Sequence, residues 1–382
     1  MKIKVVILYR VVQEWRSPIF QRLSDMPGYD VTVLHGPDFS GTKVISTKTN
    51  TRYNKRMLAS IRVRHGTNNG MAMMPLSINL FAILARIQPD IVLCEGPSSN
   101  LLNDIIAHFY CKVFKKKIIY WGLGKIENRT HHGIRIVLGS TIRALEKRAD
   151  GIVAYSNYGK QYFKDIGIQS SKIFVPVNVI DTDLKLQSIA KYQAKTIYDE
   201  KHLAIKFVIL YVGALDINKK VDLLIEAFFK LESDYPGDVQ LNIIGDGAER
   251  KRLESMVDGK GNNDIQFLGK MFNNLTPYYL ESDVFVMPGL GGLAISEAMV
   301  HGLPVIASIG DGSEKDLIIE DNGIIDKNLS ADKLYKYLKY MVVNPDKTRA
   351  MGLASAYRIE HKYNINTYMS QLCACIDATK RL

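Results

Sequence analysis

The sequence predicts an α/β fold built from two doubly wound, Rossmann-like domains that face each other across a cleft. Short apolar runs of strand length alternate with helical stretches along the whole chain. This alternation starts twice, on either side of a polar segment, as two βαβ series would. The length of 382 residues is also too great for one hydrophobic core and suits two. Ligands of such domains bind beyond the carboxyl ends of the parallel strands.

The first series defines an N-terminal domain, which we place at residues 1–185. Its short, almost wholly apolar runs are typical of buried parallel strands: Val5–Tyr9, Val31–His35, Ile91–Cys94, Ile118–Trp121 and Ile152–Tyr155. The stretches between them have helical spacing: Pro18–Ser24, Leu76–Arg86 and Ile134–Arg148. The first domain is therefore expected to be a doubly wound sheet.

The second series defines a C-terminal domain at residues 207–362. Its predicted strands are Phe207–Gly213, Val239–Ile244, Ile265–Leu268, Val284–Met287 and Pro304–Ala307. Its predicted helices include Val221–Leu231, Glu249–Val257 and Leu293–Val300. Residues 186–206 are polar without a strong period, so we expect a linker there. We expect 363–382 to be a helix that packs back toward the N-terminal domain.

The positive charge of the chain is concentrated in its first half. The net charge is +11. Residues 1–185 hold 27 Lys or Arg and 13 Asp or Glu, which gives +14, and the remainder has 23 and 26, which gives −3. This asymmetry indicates an anionic partner for the first half, such as nucleic acid, an anionic membrane surface or a phosphorylated acceptor. A basic surface without a ligand would explain it as well.

The cysteines and the hydropathy indicate a cytoplasmic protein. The four cysteines have no CxxC or zinc spacing, so we expect free thiols in a reducing compartment. No window approaches the roughly 20 apolar residues of a membrane helix. The apolar start is too short for a signal peptide. The basic first half is compatible with a peripheral position at the inner face of the cytoplasmic membrane.

The most informative stretch runs from Val284 to Ala307 as a strand, a glycine-rich loop, a short helix and a second strand. The loop holds Gly289, Gly291 and Gly292, which let backbone approach a ligand closely. The helix that follows aims free N–H groups and its positive dipole end at the same place. A diphosphate fits that environment. Glu297, about one turn into this helix, can accept hydrogen bonds from a ribose diol or can simply favour the helix dipole.

Residues 296–307 resemble the donor signature of family-4 retaining glycosyltransferases of the GT-B fold, of the bacterial polysaccharide-assembly type. Other segments resemble that family in the family's order: Ala149–Ser156, Pro176–Asp181, Tyr211–Leu215 with Lys219–Ala227, Ile243–Gly247 and Phe267–Met271. The likeness covers residues 150–382 well and the first 150 loosely. It implies a hexosyltransferase-type enzyme that moves a sugar from a nucleotide-diphosphate donor to a saccharide or lipid-linked saccharide.

The resemblance implies specific donor contacts. Glu297 would hold the ribose, Lys219 or Lys220 the diphosphate, and Lys270 and Met271 would border the base. The implied contacts through backbone or close approach are Gly213, Gly245, Gly289, Gly291, Gly292, Leu293 and Ala294. Because lysine and a helix N-terminus can neutralise the leaving diphosphate, we expect no metal and no other cofactor.

Two positions depart from the family pattern. The family pairs two glutamates eight positions apart, and the first of them falls at Gly289. That glutamate normally lies near the transferred sugar, so no catalytic residue can be assigned. The only candidates are Lys219, Glu127 and Lys125. The arginine that usually follows the glycine of the first donor loop is Ala214 here, which removes one phosphate-binding cation.

The acceptor side gives a weaker pattern. Candidate contacts lie at or just beyond predicted strand ends: Arg16, Glu95, Trp121, Lys125 and Arg129. The Trp-Gly-Leu-Gly turn resembles a Trp-Gly-His-Gly turn of polysaccharide-assembly transferases, but Leu123 stands where that turn has histidine. A catalytic histidine therefore cannot be carried over. A solvated basic loop would explain these charges equally well.

Other functions remain open from the sequence. One is a GT-B-fold sugar-nucleotide epimerase or hydrolase, and another is a degenerate relative that binds a nucleotide sugar without catalysis. A nicotinamide-dependent dehydrogenase is disfavoured because no GxGxxG follows the first strand. Nucleic acid is not expected as a partner, since no recognition motif accompanies the charge.

Overall fold

The computed structural model describes residues 2–38, 46, 51–67, 70–96, 100–124, 134–196, 206–258, 264–271 and 274–382. The chain forms two compact units. Unit 1 is Met1–Val177 together with Asn366–Leu382, and unit 2 is Asn178–Ile365. Unit 1 is thus discontinuous in sequence, whereas unit 2 is one continuous segment.

Unit 1 is built on a seven-stranded, all-parallel sheet with the order β3-β2-β1-β6-β7-β8-β9. Its strands, with the antiparallel hairpin β4–β5, are β1 Ile3–Tyr9, β2 Tyr29–His35, β3 Asn54–Met57, β4 Ser60–Thr67, β5 Gly70–Ser77, β6 Ile91–Glu95, β7 Lys117–Gly122, β8 Gly151–Ala154 and β9 Ile173–Phe174. Its helices are α1 Ser17–Asp25, α2 Leu80–Ile87, α3 Leu101–Val113, α4 Ile134–Lys147 and α5 Asn157–Asp165.

Unit 2 holds a six-stranded, all-parallel sheet with the order β12-β11-β10-β13-β14-β15. Its strands are β10 Phe207–Val212, β11 Val239–Ile244, β12 Ile265–Gly269, β13 Val284–Met287, β14 Val305–Ala307 and β15 Gly323–Ile325. Its helices are α6 Thr182–Thr196, α7 Val221–Asp234, α8 Arg250–Asp258, α9 Thr276–Leu280, α10 Leu293–Val300, α11 Glu314–Leu317, α12 Ala331–Val343 and α13 Pro345–His361. A last helix, α14 (Ile365–Arg381), carries the chain back into unit 1.

The apolar pattern explains why these segments form these elements. The centre of β10 is a run of four buried residues, as expected for a strand covered on both faces. In α7 the buried positions include Val221, Leu224, Phe228 and Leu231, which lie three or four residues apart on one face. The predicted doubly wound α/β fold is therefore confirmed for each unit.

Several boundaries differ from the sequence expectation. The segment expected to be a linker over 186–206 is helical as far as Thr196, where α6 ends. The first unit ends at Val177 rather than at 185. The predicted helix Leu76–Arg86 begins at Leu80, because Leu76 and Ser77 end strand β5 instead. The sequence also missed five strands. Three of them, β3, β9 and β15, have four residues or fewer, too few to display a period. The other two are the eight-residue strands β4 and β5 of the hairpin.

Within the part of the chain that the structure describes, no helix combines the length and the apolar character needed to cross a membrane. In those same ranges, no group of three or more histidine, cysteine or acidic side chains could hold a metal ion. All four cysteines are free thiols.

A buried carboxyl group in unit 1 gives a pH prediction. Glu146 of α4 is 6% exposed and accepts a hydrogen bond from the Tyr162 hydroxyl at 3.2 Å. Burial raises the pKa of this carboxyl to about 7. Between the two pKa values the folded chain keeps a proton on Glu146 that the unfolded chain has released. The stability that comes from burying the protonated carboxyl group is therefore complete below about pH 4 and is lost as the pH rises through about 7.

We expect Glu146→Gln to remove this dependence, since the amide keeps the shape and the acceptor but cannot ionise. At pH 8 the variant should be more stable than the wild type, by on the order of 2–3 kcal/mol. Denaturant unfolding at pH 5 and pH 8 measures the difference. The exposed Glu320→Gln serves as the matched control. An equal pH dependence in wild type and Glu146→Gln would contradict the assignment.

Candidate functional site

The sheet of unit 2 has one topological switch point. The chain builds β10, β11 and β12 outward on one side, and then returns to place β13 on the other side of β10. Ligands of open α/β sheets bind beyond the carboxyl ends of the two strands at such a point. Those ends are followed by Gly213 and by the glycine loop 289–292, so the predicted donor-loop glycines lie there.

The glycines after β10 and β11 bring two backbones into direct contact. A Cβ atom on Gly245 would lie 1.8 Å from the carbonyl oxygen of Gly213, and Gly245 has a φ of +154°. A Cβ on Gly247 would lie 2.1 Å from the carbonyl oxygen of Leu215. These glycines therefore have a packing role that is independent of any ligand. The prediction that Gly213 and Gly245 also contact a nucleotide stays a prediction.

The glycine loop rests on a short 3-10 turn, Ile217–Lys219, that carries the predicted lysine. The Leu290 amide donates to the Asn218 carbonyl at 3.0 Å. The Lys219 ammonium group donates to the carbonyl oxygen of Leu290. Lys220 has left-handed backbone with a φ of 51° and an exposed side chain. The structure thus brings Lys219 against the loop and leaves Lys220 at the surface before α7.

Gly289 has no room for a side chain. A Cβ atom there would lie 2.2 Å from the Asn218 carbonyl oxygen and 2.6 Å from the Lys219 Cα. Gly292 is the opposite case, since no atom lies within 4 Å of the Cβ position. The absence of a glutamate at 289 therefore has a physical reason in the close approach of the 3-10 turn.

Helix α10 begins at Leu293, directly after the loop, and its first amides point toward the loop as in any helix N-terminus. Leu293 and Ala294 are half-buried. Ser296 is buried, and its hydroxyl donates to the Leu293 carbonyl at 2.8 Å while it accepts from the Ile180 amide at 3.3 Å. These contacts fix the first turn of α10 against the segment that leads into α6.

Glu297 lies in the second turn of α10 and forms an ion pair with Lys185 of α6. The carboxylate side chain is 13% exposed and the lysine side chain 31% exposed. Lys185 was not among the predicted site residues, because it lies at the end of the predicted N-terminal domain, 112 positions before Glu297. The pair leaves a part-buried carboxylate with one cation beside it and with free acceptor capacity for further donors.

A neutral aromatic layer supports the far end of α10. His301 stacks on Tyr279 with ring centroids 4.7 Å apart, and its Nδ1 lies 2.7 Å from the Glu297 carbonyl oxygen. Burial lowers the pKa of His301, and burial together with the Glu297 charge raises the pKa of Tyr279 well above its ordinary value. Both rings are therefore neutral near pH 7, and the layer adds no charge that would compete with Lys185.

A second acidic side chain supports the glycine loop through the neighbouring segment 310–312. Glu314 is fully buried and accepts hydrogen bonds from the amides of Gly310 at 2.6 Å and Gly312 at 3.0 Å. Gly310 in turn abuts the loop, since a Cβ on it would lie 2.6 Å from the Gly291 amide nitrogen. Burial and the nearby Asp311 raise the pKa of Glu314 to about 7. Glu314 was not among the predicted site residues.

Lys270 and Met271 follow β12, two strands away from β10 in the sheet. Lys270 is exposed and Met271 half-buried. Their predicted position beside a base remains a prediction.

Two predicted acceptor contacts are enclosed by protein. Arg16 is fully buried and Trp121 is 1% exposed. The Arg16 guanidinium donates to the hydroxyls of Tyr368 at 2.9 Å and Tyr155 at 3.0 Å, and lies 4.5 Å from the Trp121 ring centroid. This burial argues against both residues as acceptor contacts, because neither side chain reaches solvent. They form an aromatic cation cluster inside unit 1 instead.

The remaining acceptor and catalytic candidates divide into two groups. Glu95 is half-buried and accepts a hydrogen bond from the Arg10 amide at 2.7 Å. Burial raises the pKa of its carboxyl, against the opposing charge of Arg10. Lys125, Glu127 and Arg129 lie outside the described residues.

Comparison with known proteins finds a family match for part of the chain. Residues 195–356 match the family described as glycosyl transferases group 1. An uncharacterized glycosyltransferase of Methanocaldococcus jannaschii is 27% identical over 297 residues, which are 75% of this chain and 74% of that protein. A GDP-mannose-dependent monoacylated alpha-(1-6)-phosphatidylinositol monomannoside mannosyltransferase of Corynebacterium glutamicum is 27% identical over 157 residues, 38% of this chain and 40% of that protein.

Two solved structures share the fold over nearly the whole chain. Alr3699/HepE of Anabaena in complex with UDP has a TM-score of 0.73 at 16% identity and covers 98% of this chain and 100% of its own. Sucrose-phosphate synthase of Thermosynechococcus elongatus has a TM-score of 0.74 at 17% identity, with 98% of both chains covered. At these identities the likeness shows the GT-B fold alone.

Proposed function

We propose that this chain, whose residues 195–356 match the group 1 glycosyl transferases, transfers a sugar from a nucleotide-diphosphate donor bound at the switch point of unit 2. The acceptor would be a saccharide or a lipid-linked saccharide. Transfer would retain the anomeric configuration and would use no metal. The lipid-linked acceptor would place the protein at the inner face of a membrane.

The observation that carries this proposal is the meeting of three features at one sheet edge. A glycine loop, a lysine whose ammonium group contacts that loop and a carboxylate one turn into the next helix all belong to the elements around β10 and β13. The amides at the start of α10 suit a diphosphate. Glu297 suits the two hydroxyls of a ribose, since a carboxylate can accept from both.

The expected chemistry assigns each group a task. The acceptor hydroxyl oxygen forms a bond to the anomeric carbon as the bond between that carbon and the phosphate oxygen breaks. Negative charge develops on the leaving diphosphate, which takes up the proton of the acceptor hydroxyl. The ammonium group of Lys219 and the N-terminus of α10 stabilise that charge without a metal. Because Gly289 has no side chain to contact the sugar, the sugar hydroxyls would be recognised by backbone groups of the loop.

The comparisons support a nucleotide-sugar donor without identifying the base. The Anabaena protein has been crystallised with UDP, with UDP-glucose, and with UDP and glucose. The mannosyltransferase relatives are named as GDP-mannose-dependent. Uridine and guanosine diphosphates are therefore the first ligands to try.

The test is the melting temperature of the full chain with UDP, GDP, ADP or CMP, for the wild type and for Glu297→Ala. A ligand at 100 times its dissociation constant stabilises by about 2.7 kcal/mol, or roughly 5–11 °C for a domain of this size. We expect a shift with one nucleotide that Glu297→Ala loses and that the exposed control Glu320→Ala keeps.

Lys185 refines the same experiment. Lys185→Met should weaken the shift less than Glu297→Ala does, because it removes the partner of the carboxylate but leaves its acceptor oxygens. A cooperative melt that no nucleotide shifts would overturn the donor site. A shift of the melting temperature in Glu297→Ala as large as in the wild type would show that Glu297 does not contribute to nucleotide binding.

A further inference from the structure

Unit 1 exposes an apolar stripe on its third helix. Ile105, Phe109 and Val113 of α3 follow each other four residues apart, so they share one face. They are 39%, 59% and 52% exposed. Phe114, just after the helix, is 46% exposed. Single exposed apolar residues are ordinary, but three on one helix face with a fourth just after the helix form a patch of the kind found at binding sites.

The patch continues onto the start of α2. The Phe81 ring lies 6.1 Å from Phe109 and 6.0 Å from Phe114, centroid to centroid. A shallow groove between the two helices is lined by Leu76, Ser77, Ile78, Phe81, Ile105, Ile106 and Phe109. Ile78 at its edge is 68% exposed. The stripe is therefore part of a wider apolar surface made by two helices.

Lysines flank this surface. Lys112 lies three residues after Phe109, on the same face of α3, and is exposed. Lys115 follows Phe114 and is also exposed. The sole acidic residue of α3, Asp104, is fully buried, so it offers no exposed countercharge. We name Ile105, Phe109, Val113, Phe114, Lys112 and Lys115 the α3 surface.

We propose that the α3 surface docks on an anionic phospholipid bilayer. Isoleucine and phenylalanine side chains enter the boundary between headgroups and acyl chains, while lysines on the same face meet the lipid phosphates. A membrane therefore offers contacts to the apolar side chains and to the lysines of this surface at the same time.

A second copy of the chain fits less well. An isologous interface centred on this surface would bring Lys112 and Lys115 of both copies into one contact. Like charges facing each other across an apolar contact are unfavourable. The charge of the surface thus favours an anionic lipid over self-association.

The inference rests on the proposed function for its purpose, the presentation of a lipid-linked acceptor. Its test needs no nucleotide, so the two can fail separately. The probe is sedimentation of the full chain with vesicles of phosphatidylcholine alone and of equimolar phosphatidylcholine and phosphatidylglycerol. We expect binding to the anionic vesicles, weakened by added salt because the lysine contribution is screened.

Two double variants separate the apolar and charged contributions. Ile105→Ser with Phe109→Ser, and Lys112→Glu with Lys115→Glu, should each lower the partition coefficient by about tenfold or more. The matched control is Leu353→Ser with Tyr357→Ser on α13, which has the same four-residue spacing and exposures of 68% and 65%. An unchanged melting temperature verifies that each variant folds.

Three outcomes would overturn the proposal. One is a wild type that does not sediment with anionic vesicles. Another is equal vesicle binding by the wild type and by both α3 variants. The third is a wild-type dimer in size-exclusion chromatography with light scattering that the serine variant converts to a monomer, which would assign the surface to self-association.

Discussion

Replacing Gly289 by alanine is expected to destabilise unit 2 by about 1–3 kcal/mol, the usual cost of inserting a methyl group where there is no space. The new Cβ would meet the backbone of Asn218 and Lys219 at 2.2–2.6 Å, and backbone cannot rotate away as a side chain can. The 3-10 turn must then move from the loop, and the Leu290–Asn218 hydrogen bond is strained. Calorimetric melting of the full chain measures the loss.

Gly292→Ala provides the matched comparison three residues away. Its Cβ would meet no atom within 4 Å, and its φ of 164° is extended backbone open to any residue. We expect almost unchanged stability but a reduced nucleotide shift, because the added methyl group lies at the start of α10 where the diphosphate would bind. Equal stability of the two variants would show that the turn yields easily and would remove this explanation for the missing glutamate.

Gly289→Glu extends the test to the family pattern. If the close approach of the turn is what excludes a side chain, restoring a carboxylate should lower stability at least as much as alanine does, and should not raise transfer activity. A gain in activity would mean that the loop has room for the side chain after all.

Replacing Arg16 by alanine should cost about 3–5 kcal/mol of unfolding free energy in unit 1. The change leaves a large cavity beside Trp121 and removes the donors to two buried tyrosine hydroxyls. Because Tyr368 belongs to α14, the variant should also loosen that helix, which hydrogen exchange on residues 366–382 would detect.

Arg52→Ala is the control for this prediction. The Arg52 side chain is 80% exposed and pairs with Asp25 at the surface, so its loss should change stability by less than about 0.5 kcal/mol. Arg16→Met should recover part of the loss, since it refills the volume with an apolar chain. A loss in Arg16→Ala no larger than in Arg52→Ala would mean that the cluster contributes little.

Local sequence pattern predicted most of the fold. Strands such as β10 and helices such as α7 have clear periods, because one side or both sides of each element are buried. Helix α6 lacked such a signal for a physical reason: it is mostly exposed, and Thr182 is its one buried position among the side chains described. A polar helix without an apolar stripe has the same sequence pattern as a linker.

The candidate site was predictable where it depends on backbone and not where it depends on distant side chains. The loop glycines and Glu297 could be named because they are close in sequence. Lys185 lies 112 positions before its carboxylate partner, and Arg16 is 352 positions from Tyr368. An arginine is ordinarily exposed, so nothing local indicated that aromatic side chains would enclose this one.

The discontinuity of unit 1 has a consequence for the order of folding. Strands β1–β9 leave the ribosome first, yet part of their core is supplied by α14, whose residues Tyr368, Met369, Leu372, Cys375 and Ile376 are at most 3% exposed. Unit 2 is translated completely before those residues exist. Unit 2 can therefore fold first, although it is synthesised later. Unit 1 cannot complete its core until α14 has been synthesised, which reverses the usual order of folding in multidomain proteins.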